Sequence, residues 1–333
     1  MVGISNQRCE VEDINIYLNK LLIEPTLTIP IPTLANEVYY IQTNEENYYL
    51  KIFTDKNTKK IQKLVNIYNV LPDLSPKVIS YSLNDLENPY ILLLEIKGMS
   101  FTDYTKHTSQ EELEELYVNF GKTVATIHAI SFTEFGGYDG MQVTQYEELQ
   151  NSKTVTKYGP FQTWKDMHKQ IIKQRLEVLE GGYFKDILTD IKTYFHKHSA
   201  VIDYKIIPRL LHGDLNQKNV FVQNNQISGI IDFDDAFIGH TEEELMRIEG
   251  AHFADKPLLK ESFFKGYTSI LSLDGGFEQR RPFYYLSRLL VHMGCIQEFK
   301  ETYVKDIDAE VEKIIKEVRN IIEGKGVTYT ANG

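Results

Sequence analysis

The stretch LLHGDLNQKNVFVQNNQISGIIDFDDAFIGH, residues 210–240, decides how the rest of the chain is read. It holds three short apolar runs, LL, VFV and GIIDF, with the polar turn QNNQ between the last two, so it reads as short strands joined by turns. His212, Asp214 and Asn219 form H-x-D-x-x-x-x-N directly after Leu210 and Leu211, and Asp232 closes the run GIID. Phosphoryl transfer asks for such a set: one carboxylate beside the acceptor hydroxyl, plus an amide oxygen and a second carboxylate to hold Mg2+ against the phosphates. Mg2+ takes few protein oxygens and fills its other positions with water and phosphate, so Asn219 and Asp232 suffice as ligands. As structure alone, the same residues cap a turn and start a strand. The second acid at strand spacing and a β-rich segment upstream favour the chemical reading.

Upstream, the first hundred residues are β-rich. YYIQTNEENYYLKIF, residues 39–53, is two apolar-aromatic runs around a polar turn, a hairpin pattern. Residues 59–71 repeat Ile61, Leu64, Val65, Tyr68 and Leu71 at helical spacing and stop before Pro72. Two further apolar runs, KVISYSL and PYILLLEI, lead to Gly98, where the chain leaves one lobe for another. Beyond it the pattern turns helical. In residues 111–130, Leu113, Leu116, Tyr117, Phe120, Val124 and Ile127 share a face. Further helices are expected over 161–180, 184–197, 242–254, 257–271, 279–299 and 305–323, with residues 208–235 as the one β-rich island among them. The expectation is an α+β chain of two lobes, a small β-rich one over 1–97 and a larger, mainly helical one over 98–333.

With that order of elements in place, LLHGDLNQKNVFV followed by GIIDFDDAFIGH resembles the aminoglycoside phosphotransferase and choline-kinase-like superfamily, small-molecule kinases with the protein-kinase-like fold. FGKTVATIHAI is similar to the family helix ending in L-A-x-L-H, with His128 read as a packed helix-end histidine. The resemblance implies that Asp214 is the catalytic carboxylate, that Asn219 and Asp232 ligate Mg2+, and that His212 braces the loop rather than exchanging protons. It implies that Lys51 in YYLKIF holds the α- and β-phosphates of ATP, or of GTP in its place. The linker LLLEIKG would bind adenine through Leu94 C=O and Ile96 N–H, with Phe221 under the ring. The sequence departs from the family twice. PTLAN, residues 32–36, keeps only Asn36 of the family's Gly-Gly-x-x-Asn phosphate loop, and no Asp or Glu occurs between residues 56 and 72 to pair with Lys51. These departures keep a nucleotide-binding pseudokinase as the alternative from another class.

The acceptor is read from charge. Asp234, Asp235, Glu242, Glu243, Glu244 and Glu249 gather after the metal pair, which suits a polycationic aminoglycoside or related antibiotic. Asp234 and Asp235 are the better acceptor candidates, because Thr241 with Glu244 reads as a capping box at a helix start. An endogenous amino-alcohol or sugar is the alternative acceptor. A protein kinase is disfavoured, since few residues separate Asp232 from the next helix to dock a peptide. With 36 Lys+Arg against 47 Asp+Glu, net charge −11, the chain lacks the basic footprint of a nucleic-acid or membrane-surface binder. Two cysteines, Cys9 and Cys295, make no disulfide framework, and the opening MVGISNQRCE has no apolar leader run, so a cytoplasmic monomer or homodimer is expected. Cys295 reads as a buried thiol, and His196 and His198 as solvated surface.

Overall fold

Alternating apolar side chains build the first sheet of the computed structural model, which describes residues 14–327 apart from 16–17, 20, 34–35, 54–57, 84–87, 151–153 and 254–255. Its strands are β1 (Leu27–Ile31), β2 (Glu37–Gln42), β3 (Asn47–Ile52), β4 (Val78–Ser82) and β5 (Tyr90–Leu94), in the antiparallel order β1-β2-β3-β5-β4. The expected hairpin is β2–β3, with Tyr39 opposite Leu50. Its turn is closed by Thr43 Oγ1, which accepts the N–H groups of Glu45 and Glu46. Leu50, Ile52, Tyr39, Ile41, Tyr90 and Leu92 form one apolar layer with Ile14, Leu18 and Ile23. Successive strand side chains point to opposite faces, so Lys51 is turned away from that layer. Ile91 and Leu93, on the opposite face, join the main core with Ile61, Leu64, Val65 and Tyr68 of helix α1 (Thr58–Val70).

After Gly98 the chain enters a helical region. β6 (Met99–Ser100) pairs with β12 (Val220–Gln223), and β12 forms a hairpin with β13 (Gln226–Ile230). Asn224 and Asn225 turn that hairpin at φ 51 and 59, the left-handed backbone that short asparagine turns tolerate. Helix α2 (Gln110–His128) starts at a Ser109–Glu112 capping box and buries Leu116, Tyr117, Phe120, Val124 and Ile127, the face expected from spacing. The later helices are α3 (Trp164–Val178), α4 (Leu188–His198), α5 (Thr241–Ile248), α6 (Pro257–Thr268), α7 (Phe277–Phe299) and α8 (Ile307–Ile322). The overall class is α+β, as expected. Among the described residues no helix is long and apolar enough to cross a membrane.

Two expectations need correction. Residues 208–235 are not the one β-rich island among the helices: β7 (Gly136–Tyr138), β8 (Val143–Thr144), β9 (Tyr146–Gln150) and β10 (Thr154–Tyr158) precede it. These strands are short, carry the Gly136–Gly137 pair and a tight turn at Asp139, and so show no apolar run to recognise. The run LL is a strand, as expected: it forms β11 (Arg209–Leu211), whose partner is β14 (Phe237–Gly239), and β7 flanks β14 in turn. The helix expected over 242–254 is α-helical only to Ile248 and continues as a π-helical turn over Glu249–Phe253. The Cys9 reading lies outside the described residues.

Candidate active site

The sharp turn after β11 is made at Gly213, with φ 87; a Cβ there would lie 2.4 Å from Asp235 O. Only glycine allows this backbone conformation at so close an approach, and it brings residues 212–214 against residues 231–235. His212 Nδ1 accepts the Asp214 N–H at 3.1 Å, so the ring proton sits on Nε2 and is donated to Ile231 O at 2.9 Å. The buried ring lies 4.3 Å from that of Phe233. His212 therefore ties the Asp214 loop to the segment that carries Asp232.

Asp214 Oδ2 accepts the side-chain amides of Asn216 at 2.9 Å and Asn219 at 3.2 Å, and Asn219 Nδ2 also donates to Asp214 O at 2.9 Å. With its nitrogen so engaged, Asn219 has its amide oxygen to offer a cation. Burial pushes the Asp214 carboxyl above the usual aspartate range, and the charge of Arg247 is the strongest influence pulling it back. Asp232 takes a left-handed backbone, φ 67 and ψ 53, and 46% of its side chain is exposed. Such a backbone is costly for a residue other than glycine and is held by its surroundings.

Lys51, turned out of the sheet by strand alternation, lies 3.0 Å from Asp234 Oδ2 and 3.3 Å from Asp232 Oδ1. Burial works against its charge, but the two carboxylates more than offset it and raise its pKa. The partner missing from residues 56–72 thus comes from across the cleft. Asp234 is accordingly not free to greet an acceptor: one oxygen holds Lys51, and the other is buried without a hydrogen-bond partner. Asp235 stays exposed beside Gly213. Where the resemblance implies a carboxylate on α1, Lys63 instead donates to Asp234 O at 2.6 Å and Ala236 O at 2.8 Å.

The other expected nucleotide contacts lie on or beside β5, β12 and β2. Leu94 ends β5 with its N–H on Lys77 O at 2.9 Å. Ile96 follows it and packs on Gly229 of β13. Val220 and Val222 are buried, leaving Phe221 on the other, half-exposed face of β12. Asn36 is half-buried, its carbonyl bonded by Thr33, and Leu34 and Ala35 of the same loop lie outside the described residues.

Glu244 is the residue whose role the sequence concealed. The cap of α5 is His240, with no side-chain capping bond, so the Thr241–Glu244 capping box is not formed. Glu244 is instead 1% exposed and accepts the backbone N–H groups of Gly213 at 2.6 Å and His212 at 3.1 Å, and contacts His128 Nε2 at 2.8 Å. Its neighbours are equally engaged: Glu242 pairs with Arg280, Glu243 with Arg175, and Glu249 with Arg281 and Lys260. His128 is buried on Tyr267 and Glu244, as a packed helix-end histidine. His196 is exposed, His198 stacks on Tyr194 at 4.3 Å, and Cys295 is half-buried rather than buried.

Residues 29–283 match the model of the phosphotransferase enzyme family. A probable ketoamine kinase of Enterococcus faecium is 31% identical over 307 residues, covering 90% of this chain and 99% of the relative. A probable ketoamine kinase of Vibrio cholerae is 24% identical over 280 residues, 83% of this chain and 85% of the relative. Among solved structures, a thermostable mutant of aminoglycoside phosphotransferase APH(4)-Ia in ternary complex with AMP-PNP and hygromycin B superposes with a TM-score of 0.68 at 14% identity, covering 94% of this chain and 99% of that one. That likeness supplies the kinase-like fold, and the family match spans both the sheet and the Asp214 cluster: the chain belongs to the phosphotransferase enzyme family and is a small-molecule phosphotransferase.

Proposed function

We propose that the protein transfers the γ-phosphoryl group of ATP to a hydroxyl of a ketoamine, an amine carried on a sugar-derived ketose. Residues 1–97 serve as the nucleotide lobe and 98–333 as the catalytic and acceptor lobe. The observation that carries the acceptor class is the ketoamine-kinase relative at 31% identity over 90% of the chain. A burial argument supports it over the aminoglycoside reading. Of the six acids that would attract a polycation, Glu242, Glu243, Glu244 and Glu249 are buried and already paired and Asp234 holds Lys51, which leaves Asp235 as the exposed one.

In this reading the acceptor hydroxyl lies beside Asp214, its oxygen bonds to the γ-phosphorus, and the bond to the β–γ bridging oxygen breaks to release ADP. Asp214 orients the hydroxyl and receives its proton. Because the transition state is loose, positioning is the larger share of that role. Asn216 and Asn219 fix the carboxylate, while His212 and Glu244 fix the loop that bears it. Lys51 places its charge against the α- and β-phosphates. Leu94, Ile96 and Phe221 receive the adenine, and Asn36 lies in the loop over the phosphates. The donor set suits Mg2+, with an exposed Asp232 carboxylate, a free Asn219 amide oxygen and an unpartnered buried oxygen on Asp234. Asn219 and Asp232 would hold the ion, whose charge would neutralise the phosphates.

The test is phosphoryl transfer from Mg-ATP to a panel of ketoamines, aminoglycosides, amino-alcohols and sugars, with the Asp214→Asn protein as blank. Transfer to a ketoamine that vanishes in the variant supports the reading. Transfer confined to another acceptor class, or unaffected by Asp214→Asn, overturns it.

A further inference from the structure

The helical side of the Asp214 cleft carries two arginines with nothing to hold. Arg247 lies on α5, one turn past Glu244, and Arg288 lies on α7, packed against α5. Among the described residues neither has a hydrogen bond or an ion pair. The other helix-borne arginines nearby are treated differently: Arg175, Arg280 and Arg281 each hold a buried glutamate. In a chain with 47 acidic residues and a net charge of −11, two partly buried and unpaired guanidinium groups call for an explanation.

The backbone is shaped around one of them. Where α5 gives way to the π-helical turn, a Cβ on Gly250 would lie 2.2 Å from Arg288 Nη1 and 2.4 Å from Cζ, so the guanidinium rests on bare main chain. Arg247 reaches both ways: its charge acts on Asp214 and repels Arg288. The remaining groups that act on Arg288 are Tyr285, Tyr303 and Glu317, and the Glu317 carboxylate already accepts the Tyr285 hydroxyl at 3.1 Å. Two like charges held together in a half-buried place gain most from an anion set between them, and a guanidinium fork suits the two oxygens of a carboxylate or phosphate.

We propose that Arg247 and Arg288 form an oxyanion subsite beside Asp214 that recognises a carboxylate or phosphate carried by the acceptor. The inference rests on the small-molecule kinase reading of this site and narrows its substrate to anionic ketoamines. In that reading Lys51, held by Asp232 and Asp234, and the Asn219–Asp232 pair serve the nucleotide, which leaves these arginines to the acceptor.

The experiment uses three acceptors with the same sugar: a fructosyl-alkylamine without an anion, its ω-carboxylated analogue, and its 6-phosphate. Steady-state constants are measured for the full chain, Arg288→Gln, Arg288→Lys and Gly250→Ala, with the KM for ATP in each. Gly250→Ala keeps the charge but displaces the guanidinium, and thermal melts report folding. Removal of a charge-assisted contact is worth roughly 10- to 100-fold. One anionic acceptor should therefore exceed the neutral one by that factor in kcat/KM, and Arg288→Gln and Gly250→Ala should collapse the ratio through acceptor KM. Which anion wins names the source of the oxyanion. Equal kcat/KM for all three acceptors overturns the subsite, as does a rise in the KM for ATP alone. If no acceptor is phosphorylated, the ketoamine reading fails, and calorimetric binding of inorganic phosphate and of the carboxylated compound still decides the subsite. Binding lost in Arg288→Gln upholds it, and binding absent or unchanged overturns it.

Discussion

Replacing Glu244 by Gln is the most searching test of how the catalytic loop is held. Two carboxylate oxygens serve three groups: Gly213 N–H at 2.6 Å, His212 N–H at 3.1 Å and His128 Nε2 at 2.8 Å. An amide has one oxygen, so in either orientation its NH2 faces a backbone N–H that then has no acceptor. One buried donor left unsatisfied costs about 1–3 kcal/mol, and loss of the charge on the remaining bonds brings the expected destabilisation to roughly 2–4 kcal/mol. Urea unfolding at neutral pH reads this as a lower midpoint at unchanged slope. The same change loosens Gly213 and hence Asp214, so kcat should fall, with the KM for ATP little changed; a misplacement of about 1 Å costs roughly 100-fold.

Acid titration separates this account from a mere packing defect. Burial raises the Glu244 pKa, but the His128 hydrogen bond, the electrostatic attraction of the neighbouring His128 and His212 rings and the Gly213 N–H together hold it below 4.5. For a carboxyl whose folded value is depressed, the stabilisation is complete above the unfolded value and is lost as pH falls through the folded one. Glutamine does not titrate. The stability gap between the two proteins should therefore be widest at neutral pH and close as pH falls below 4.5. A gap that is absent, or that stays constant across that range with kcat intact, refutes the role assigned to Glu244.

Other perturbations follow from the same geometry. Asp214→Asn should abolish most turnover without loss of stability: the folded state raises this pKa, so the ionised form disfavours folding as pH rises through the aspartate range, and a neutral amide removes that burden. A lower urea midpoint for that variant would contradict it. Lys51→Met removes the cation between Asp232 and Asp234 and should lower kcat/KM for ATP roughly 100-fold, measured at saturating acceptor. Gly98→Ala places a Cβ 2.3 Å from Val222 O at φ 119, a backbone clash with no side chain to yield, and should cost about 2 kcal/mol or more in unfolding experiments. Gly275→Ala, with nothing within 4 Å, should change stability by less than about 0.5 kcal/mol and serves as its control.

The parts of this site that could be read from the sequence are those encoded over short separations. The β12–β13 hairpin announces itself by alternation and an Asn-Asn turn, Asn219 and Asp232 flank its ends, and His212 and Asp214 lie in the short turn that leads from β11 to it, so their gathering follows largely from local structure. Lys51 is legible for the same reason: one residue of a clear hairpin must face away from Leu50 and Ile52. The β7–β10 segment was not, because strands of two to five residues with little apolar character take their stability from partners such as β14, about a hundred residues away.

Charge partners were the least legible of all. A glutamate at the start of a helix suits the dipole whatever else it does, and that generic fitness hid the bonds from Glu244 to Gly213 and His212. The expectation of a lysine partner on α1 looked for a carboxylate where the resemblance implied one, whereas Asp234 lies 183 positions further along the chain. Periodicity reports which face of an element is apolar, but an ion pair between two elements has no period. The acids after Asp232 therefore looked like a basin for a polycation. Once their arginine, lysine and histidine partners are placed, Asp235 is the exposed acid that remains, and Arg247, whose charge acts on Asp214, and Arg288 behind it are cations without a partner among the described residues. In the proposed subsite it is this pair of unpartnered cations, rather than the number of acids in the sequence, that selects the acceptor.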